Sequence, residues 1–273
     1  MRVKPSFIVF AGLAAISATA RPAAAEDCAA PEEIRKIRLA SLERHGDLVL
    51  EDGSLLRLAG LAPRQDEAER ERFAAALRPW LGQGFELVAL GGTDRWGRVP
   101  ARLLLPDGLA GDIAGHDLAA LLLAAGAALH LPEPGLAGCN ALWRAAEAGR
   151  SAKTVAERAV SATPATNLAL AGLPVIDGHD PAAMRAQAGR IVLVEGRIAA
   201  VGERARRTYL NFTRRRGAGG SIVLSRALWR ELQSVGWTAS TLTGKRVRVR
   251  GVIEGRDGLL VTIETRAALE MVD

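Results

Sequence analysis

Residues 161–188 mix Pro, Thr, Ala, Gly and Asp without helical or strand-like periodicity, and this break limits what the chain can fold into. The segments on either side differ in charge. Residues 26–188 hold 17 Lys and Arg against 22 Asp and Glu, a net of −5, while residues 189–273 hold 16 against 8, a net of +8. One core does not readily produce such asymmetry, so two modules joined by a linker at 161–188 are expected. The second module is then able to attract polyanions or an anionic surface, the alternative being an ordinary solvated basic face.

The chain begins MRVKPSFIVFAGLAAISATARPAAAED. A basic start at Arg2 and Lys4, an apolar run from Phe7 to Ala20 and small residues at Ala23 to Ala25 form the three-part pattern of a secretory signal peptide over residues 1–25. The apolar run is shorter than the roughly 20 residues that cross a bilayer. The expectation is therefore a periplasmic or secreted protein. Its two cysteines, Cys28 and Cys139, are an even count in an oxidising compartment, which predicts a disulfide between them. Closing a loop of about 110 residues, that bond is expected to stabilise the fold by roughly 4–5 kcal/mol on a chain-entropy argument.

Within residues 26–160, strand-like patterns occur near Ile37 to Arg44, Leu48 to Leu50 and Leu55 to Leu58, with a hairpin signal at Asp52-Gly53. Phe73, Leu77 and Leu81 stand at helical spacing in a run from Asp66 to Leu81. Strands at Phe85 to Leu90 and Arg98 to Leu105 follow, then helices at Asp117 to Ala125 and Ala137 to Ala159. Residues 189–273 give five β-rich runs and one short helix near Ser225 to Val235, the pattern of a small Greek-key barrel.

Two segments carry a family likeness: LRLAGLAPRQ, from Leu56 to Gln65, and TDRWGRVPARL, from Thr93 to Leu103. They resemble the active-site strands of the staphylococcal-type thermonuclease family, calcium-dependent hydrolases of DNA and RNA. The resemblance implies an α+β, mainly β fold: an OB-type five-stranded barrel with three helices. The YLNF and GKRVRVRG segments of residues 189–273 resemble a second, small OB-like β-barrel that follows the nuclease domain in some bacterial members.

Phosphodiester hydrolysis builds negative charge on the phosphoryl oxygens, which arginine forks and a metal ion stabilise while a carboxylate orients or deprotonates water. By the resemblance, Arg57 and Arg98 are the catalytic phosphate-binding arginines, Asp47 after Gly46 is the remaining ligand for Ca2+, and Arg95 and Trp96 are candidates for nucleic-acid contact. The same match puts Ala62 where the family has its metal-binding aspartate, and Gln65, or Arg64 with a one-residue gap, where it has its catalytic glutamate. Both acids are lost. Asp66, Glu67 and Glu69 are candidate replacements, although acids in a first helical turn also suit the helix dipole. In the second module Arg204, Arg206, Arg207, Arg214, Arg215 and Arg216 flank Tyr209 and Phe212. Basic residues interleaved with aromatics are how OB folds hold single strands, which marks Arg207, Tyr209 and Arg214 as candidate nucleic-acid contacts. The expected function is binding of nucleic acid or another phosphate-containing ligand with hydrolysis weak or lost. An active secreted nuclease and a non-catalytic envelope scaffold are the alternatives.

Overall fold

The computed structural model describes residues 28, 34–106, 116–158, 173–215 and 217–272; the expected signal peptide and Arg216 lie outside the described residues. The first module has strands β1 (Arg35–Leu42), β2 (Leu48–Leu50), β3 (Leu55–Leu58), β4 (Gly84–Ala89) and β5 (Arg98–Leu104). They close into a barrel in the order β1-β2-β3-β5-β4, with β3 and β5 parallel. A register shift between Leu39 and Ser41 lets β1 pair with β4 through its first half and with β2 through its second. Alternation sets the faces: Leu56 and Leu58 enter the core, whereas Leu55 and Arg57 remain part-exposed on the outside.

Helix α1 (Glu67–Leu77) is capped by Asp66, whose carboxylate accepts from Glu69 N. It stops short of the expected Leu81 because Pro79 cannot continue the hydrogen-bond ladder, and a 3-10 turn takes over at Arg78–Trp80. Helix α2 (Leu118–Ala124) is capped by Asp117, which also accepts from Arg102 Nε at 2.9 Å and Trp143 Nε1 at 3.2 Å inside the core. Trp143 belongs to α3 (Ala137–Arg158), and the expected Cys28–Cys139 disulfide ties the start of that helix to the N-terminal segment.

The second module begins earlier than its sequence suggests. Within the expected linker, β6 (Val175–Asp177) pairs in parallel with β7 (Ile191–Arg197), and α4 (Pro181–Ala186) places Met184 fully in the second core. Such short elements show no periodicity, and Asp180 with Pro181 at a helix start reads in sequence like a loop. The module continues with β8 (Ala200–Glu203), β9 (Arg207–Asn211), β10 (Ser221–Ser225), α5 (Arg226–Ser234), α6 (Ala239–Leu242), β11 (Arg246–Glu254), β12 (Leu260–Ile263) and β13 (Leu269–Met271). The sheet runs β6-β7-β11-β12-β10-β9-β8, with β13 also on β11. A short connection links β7, next to one end of this path, to β8 at the other. Only Ile198 and Ala199 separate β7 from β8, and they bond to the flanking strands, Ile198 N to Lys245 O and Ala199 N to Asn211 O.

The modules are locked together by buried charge. Arg250 on β11 donates from Nη1 to Glu147 Oε2 (2.6 Å) and from Nη2 to Glu147 Oε1 (2.8 Å), Glu147 lying on α3. Glu147 Oε1 also accepts from His130 N at 2.9 Å. Beside this pair, Ala62 packs with Leu173, Ile191 and Leu193 in a small apolar cluster. Arg144 donates to Ala267 O, and Arg190 lies 3.7 Å from Asp66.

Removing one partner of a buried bidentate pair leaves an uncompensated charge, so Glu147→Gln or Arg250→Met should each cost about 3–5 kcal/mol in urea unfolding. The double variant should lose clearly less than the two single losses summed. His130 supplies a pH test: burial, reinforced by Arg250, lowers its pKa to about 4. The unfolded chain takes up this proton near pH 6.5 and the folded chain not until about 4, so the contribution is complete above 6.5 and is lost as pH falls to 4. Over that window the wild type should lose roughly 3 kcal/mol more than His130→Gln; parallel curves would show that His130 is not the titrating group.

Candidate functional site

Arg57 and Arg98 share one face of the first barrel. Leu55 pairs with Arg98 and Arg57 with Pro100 along the parallel β3–β5 ladder, so the two arginines stand on the outer surface two register positions apart. Their partners are carboxylates of the same chain.

Arg57 Nη1 is 2.5 Å from Glu133 Oε1, a carboxylate oxygen that Gly60 N also approaches at 3.3 Å. Glu133 is held in turn by Asn140, which accepts from Glu133 N and donates to Glu133 O. Arg98 donates from Nε and Nη2 to Asp94 Oδ2 at 3.0 and 2.8 Å, and from Nη1 to Asp47 Oδ1 at 3.2 Å. Burial disfavours the Arg98 cation, but the Asp94 hydrogen bonds and the Asp47 charge outweigh it and raise the pKa. For Asp94, burial pulls upward while bonds from the Arg98 side chain and from the Arg98 and Trp96 backbone bring a net lowering.

Asp47 therefore joins Arg98, as the likeness led us to expect, but as an ion-pair partner. A second cation adjoins it. Gly46 has φ of +91°, and a Cβ added there would lie 3.0 Å from Arg64 Nε, so the Arg64 guanidinium rests directly on the β1–β2 turn. That guanidinium also lies over the Phe73 ring, 4.1 Å from its centroid. Burial lowers the Arg64 pKa, and the charge of Asp47 partly offsets this. Among the described residues no group of three or more His, Cys, Asp or Glu is placed to hold a metal. One carboxylate facing two arginines does not fit a calcium ion, which takes several oxygen ligands.

The positions of the missing acids have another use. Beyond β3 the chain stays extended against residues 129–131, with Ala62 N bonded to Leu129 O and Leu131 N to Gly60 O. A Cβ on Gly60 would meet the Trp143 ring at 2.4 Å, so this close approach requires glycine. Ala62 is thereby pressed into the inter-module cluster at 2% exposure. Gln65 Oε1 accepts from Ile191 N, at the first residue of β7, at 3.0 Å. The candidate replacement acids are engaged too: Asp66 caps α1, Glu67 pairs with Arg70 and Glu69 accepts from Gln65 N.

Trp96 is 58% exposed at the β4–β5 turn, with Arg95 at 3.9 Å and Arg98 at 4.7 Å from its ring centroid. In the second module Arg207 and Tyr209 face outward on β9 and Phe212 fills the core, which settles which aromatic the strand alternation buries. Tyr209, Arg204, Arg214 and Arg215 border a groove of ≈ 480 Å³, with Asp257 as its one carboxylate. Arg207 lies outside the groove lining. Among the described residues none of Arg204, Arg207, Arg214 and Arg215 forms an ion pair. Asn211, which heads a glycosylation-type sequence, is tied to Ser221 Oγ and Ala200 O within the sheet. Sequence reasoning does not find Glu133, which lies 76 residues from its partner, and it places Arg64 only as an alternative match to the glutamate position.

No protein-family model matches the sequence, and no curated protein matches it. One similar solved structure is an OBody, AM1L10, bound to hen egg-white lysozyme. It has 17% identity and a TM-score of 0.27, covering 41% of this chain and 99% of its own. A likeness that slight carries no reading of either fold or function.

Placing the aspartate that the likeness implies at residue 62 tests the geometry. Ala62→Asp should bury a carboxylate in the apolar inter-module cluster, destabilise the protein by about 2–4 kcal/mol in urea unfolding and create no calcium-dependent rise in melting temperature. A clear calcium-induced rise would show that the site can still assemble.

Proposed function

We propose that this is an exported protein of thermonuclease-like architecture, its second module a small OB-like barrel, that binds single-stranded nucleic acid or a similar phosphate-bearing polymer without hydrolysing it efficiently. The observation that carries the reading is the groove of the second module. Arg204, Arg214 and Arg215 border it with Tyr209, and among the described residues none of the three has an ion-pair partner. Unpaired guanidiniums beside an outward-facing ring provide both phosphate contacts and a surface on which a base can stack. The +8 charge of residues 189–273 favours the same class of ligand.

Loss of hydrolysis follows from the first module. Gln65 has no basicity with which to deprotonate water, and Asp47 is committed to Arg98. Arg57 and Arg98 can reach a phosphate only by giving up Glu133, Asp94 and Asp47.

A labelled oligothymidylate should bind the mature protein with an affinity that falls steeply with salt. Tyr209→Ala should weaken binding by roughly 1–3 kcal/mol, while Tyr209→Phe retains most of it. Calcium should elicit little cleavage. Rapid cleavage abolished by Arg98→Ala would establish an active nuclease instead, and salt-insensitive capture of a protein with no oligonucleotide binding would favour a scaffold.

A further inference from the structure

Arg204, just beyond β8 at the tip of the β8–β9 hairpin, borders two clefts. One is the Tyr209 groove. The other, of ≈ 390 Å³, lies between the hairpin and α5 and is bordered by Glu203, Arg226, Trp229 and Arg230. Arg226 and Arg230 stand one helical turn apart, both exposed and neither in an ion pair among the described residues. Arg226 Nη1 makes only a 3.5 Å contact with Ala205 O.

Helix stability does not account for these cations. Arg226 opens α5, whose first turn contains no acid, and a cation there opposes the helix dipole. Trp229, between them, is 3% exposed, and its buried indole N–H has no acceptor among the described residues. A buried donor of this kind calls for a water or ligand oxygen. A cation set against the dipole at Arg226, a second at Arg230 one turn on, an unsatisfied donor and an open cleft all favour an anion.

We propose, resting on the groove reading above, that the ligand does not end in the groove but rounds the hairpin tip at Arg204 and places further phosphates in the α5 cleft. The ligand is then an extended single strand. A mononucleotide is too short to reach both clefts, and a duplex, with a persistence length of about 150 base pairs, is too stiff to turn around a hairpin. Five arginines border the two clefts against the carboxylates Glu203 and Asp257, so the path is cationic on both sides of the tip.

The test measures anisotropy of the mature protein with oligothymidylates of about four and about twenty nucleotides, bracketing one barrel-sized site. Arg226→Ala/Arg230→Ala changes two exposed side chains, so the fold should be preserved. It should weaken binding of the long strand about tenfold at low salt, lower its salt slope by about 1.4 for two lost phosphate contacts, and leave the short strand unaffected. An unchanged long-strand affinity and slope, with Arg214→Ala/Arg215→Ala still impairing both strands, would overturn the extended path and leave the groove reading intact. Duplex of the same length binding as tightly as the long strand would also overturn it. Failure of the unaltered protein to bind either strand would remove the groove reading itself.

Discussion

The buried pair of Glu147 and Arg250 fixes the geometry on which the rest of the molecule depends. Both carboxylate oxygens are used, and Glu147 Oε1 additionally accepts from His130 N, so neither charge is left uncompensated in the interior. Such a pair contributes little net energy compared with an apolar contact of similar volume, but it tolerates almost no displacement. It holds β11, and with it β7, against α3. The segment following β3 is consequently covered: Ala62 meets Ile191 and Leu193, and Gln65 meets the start of β7. Residue 62, where the likeness would put a metal-binding carboxylate, thus lies inside the interface, and residue 65 is bonded across it.

A similar economy governs the outer face of the first barrel. Arg57 and Arg98 stand on one outer face of the barrel, and each is satisfied from within the chain, by Glu133 and by Asp94 with Asp47. The route from Arg57 through Glu133 and Asn140 reaches His130, whose ring lies 3.4 Å from Asn140 Oδ1, and so touches the same interface. The residues that look most like a nuclease therefore serve to brace the first module and its contact with the second.

Much of this was readable from the sequence, and the boundary of what was readable is physical. Asp52-Gly53 marked a turn because Gly53 adopts φ of +79° and the Asp52 carboxylate binds Ser54 N, both local effects. The barrel strands and α3 carried enough periodicity to be placed, and the even cysteine count predicted the Cys28–Cys139 bond. Pairings across long separations left no local trace: Arg57 to Glu133 spans 76 residues and Arg250 to Glu147 spans 103. Residues 173–188 were read as linker because β6 and α4 are each shorter than two strand or helix repeats, while Met184 is buried only through tertiary packing. Arginines 57 and 98 could be located in sequence, but whether they were available could not be read there.

Availability is what separates the two modules as binding surfaces. An arginine already paired with a carboxylate exchanges one anion for another when it takes up a phosphate, and it leaves the carboxylate to be hydrated or to repel the ligand. An unpaired arginine on an open surface gives up only water and loosely held counterions, whose release adds to binding. Among the described residues Arg204, Arg214 and Arg215 are in the second state, while Arg57 and Arg98 are in the first. If both surfaces met the same polymer, its phosphates would partition toward the second module even though the first retains the more recognisable motif. Arg204, Arg214 and Arg215 of the second module thus have no carboxylate partner among the described residues, whereas the first module, with more acids than bases, uses its carboxylates to hold Arg57 and Arg98 in place.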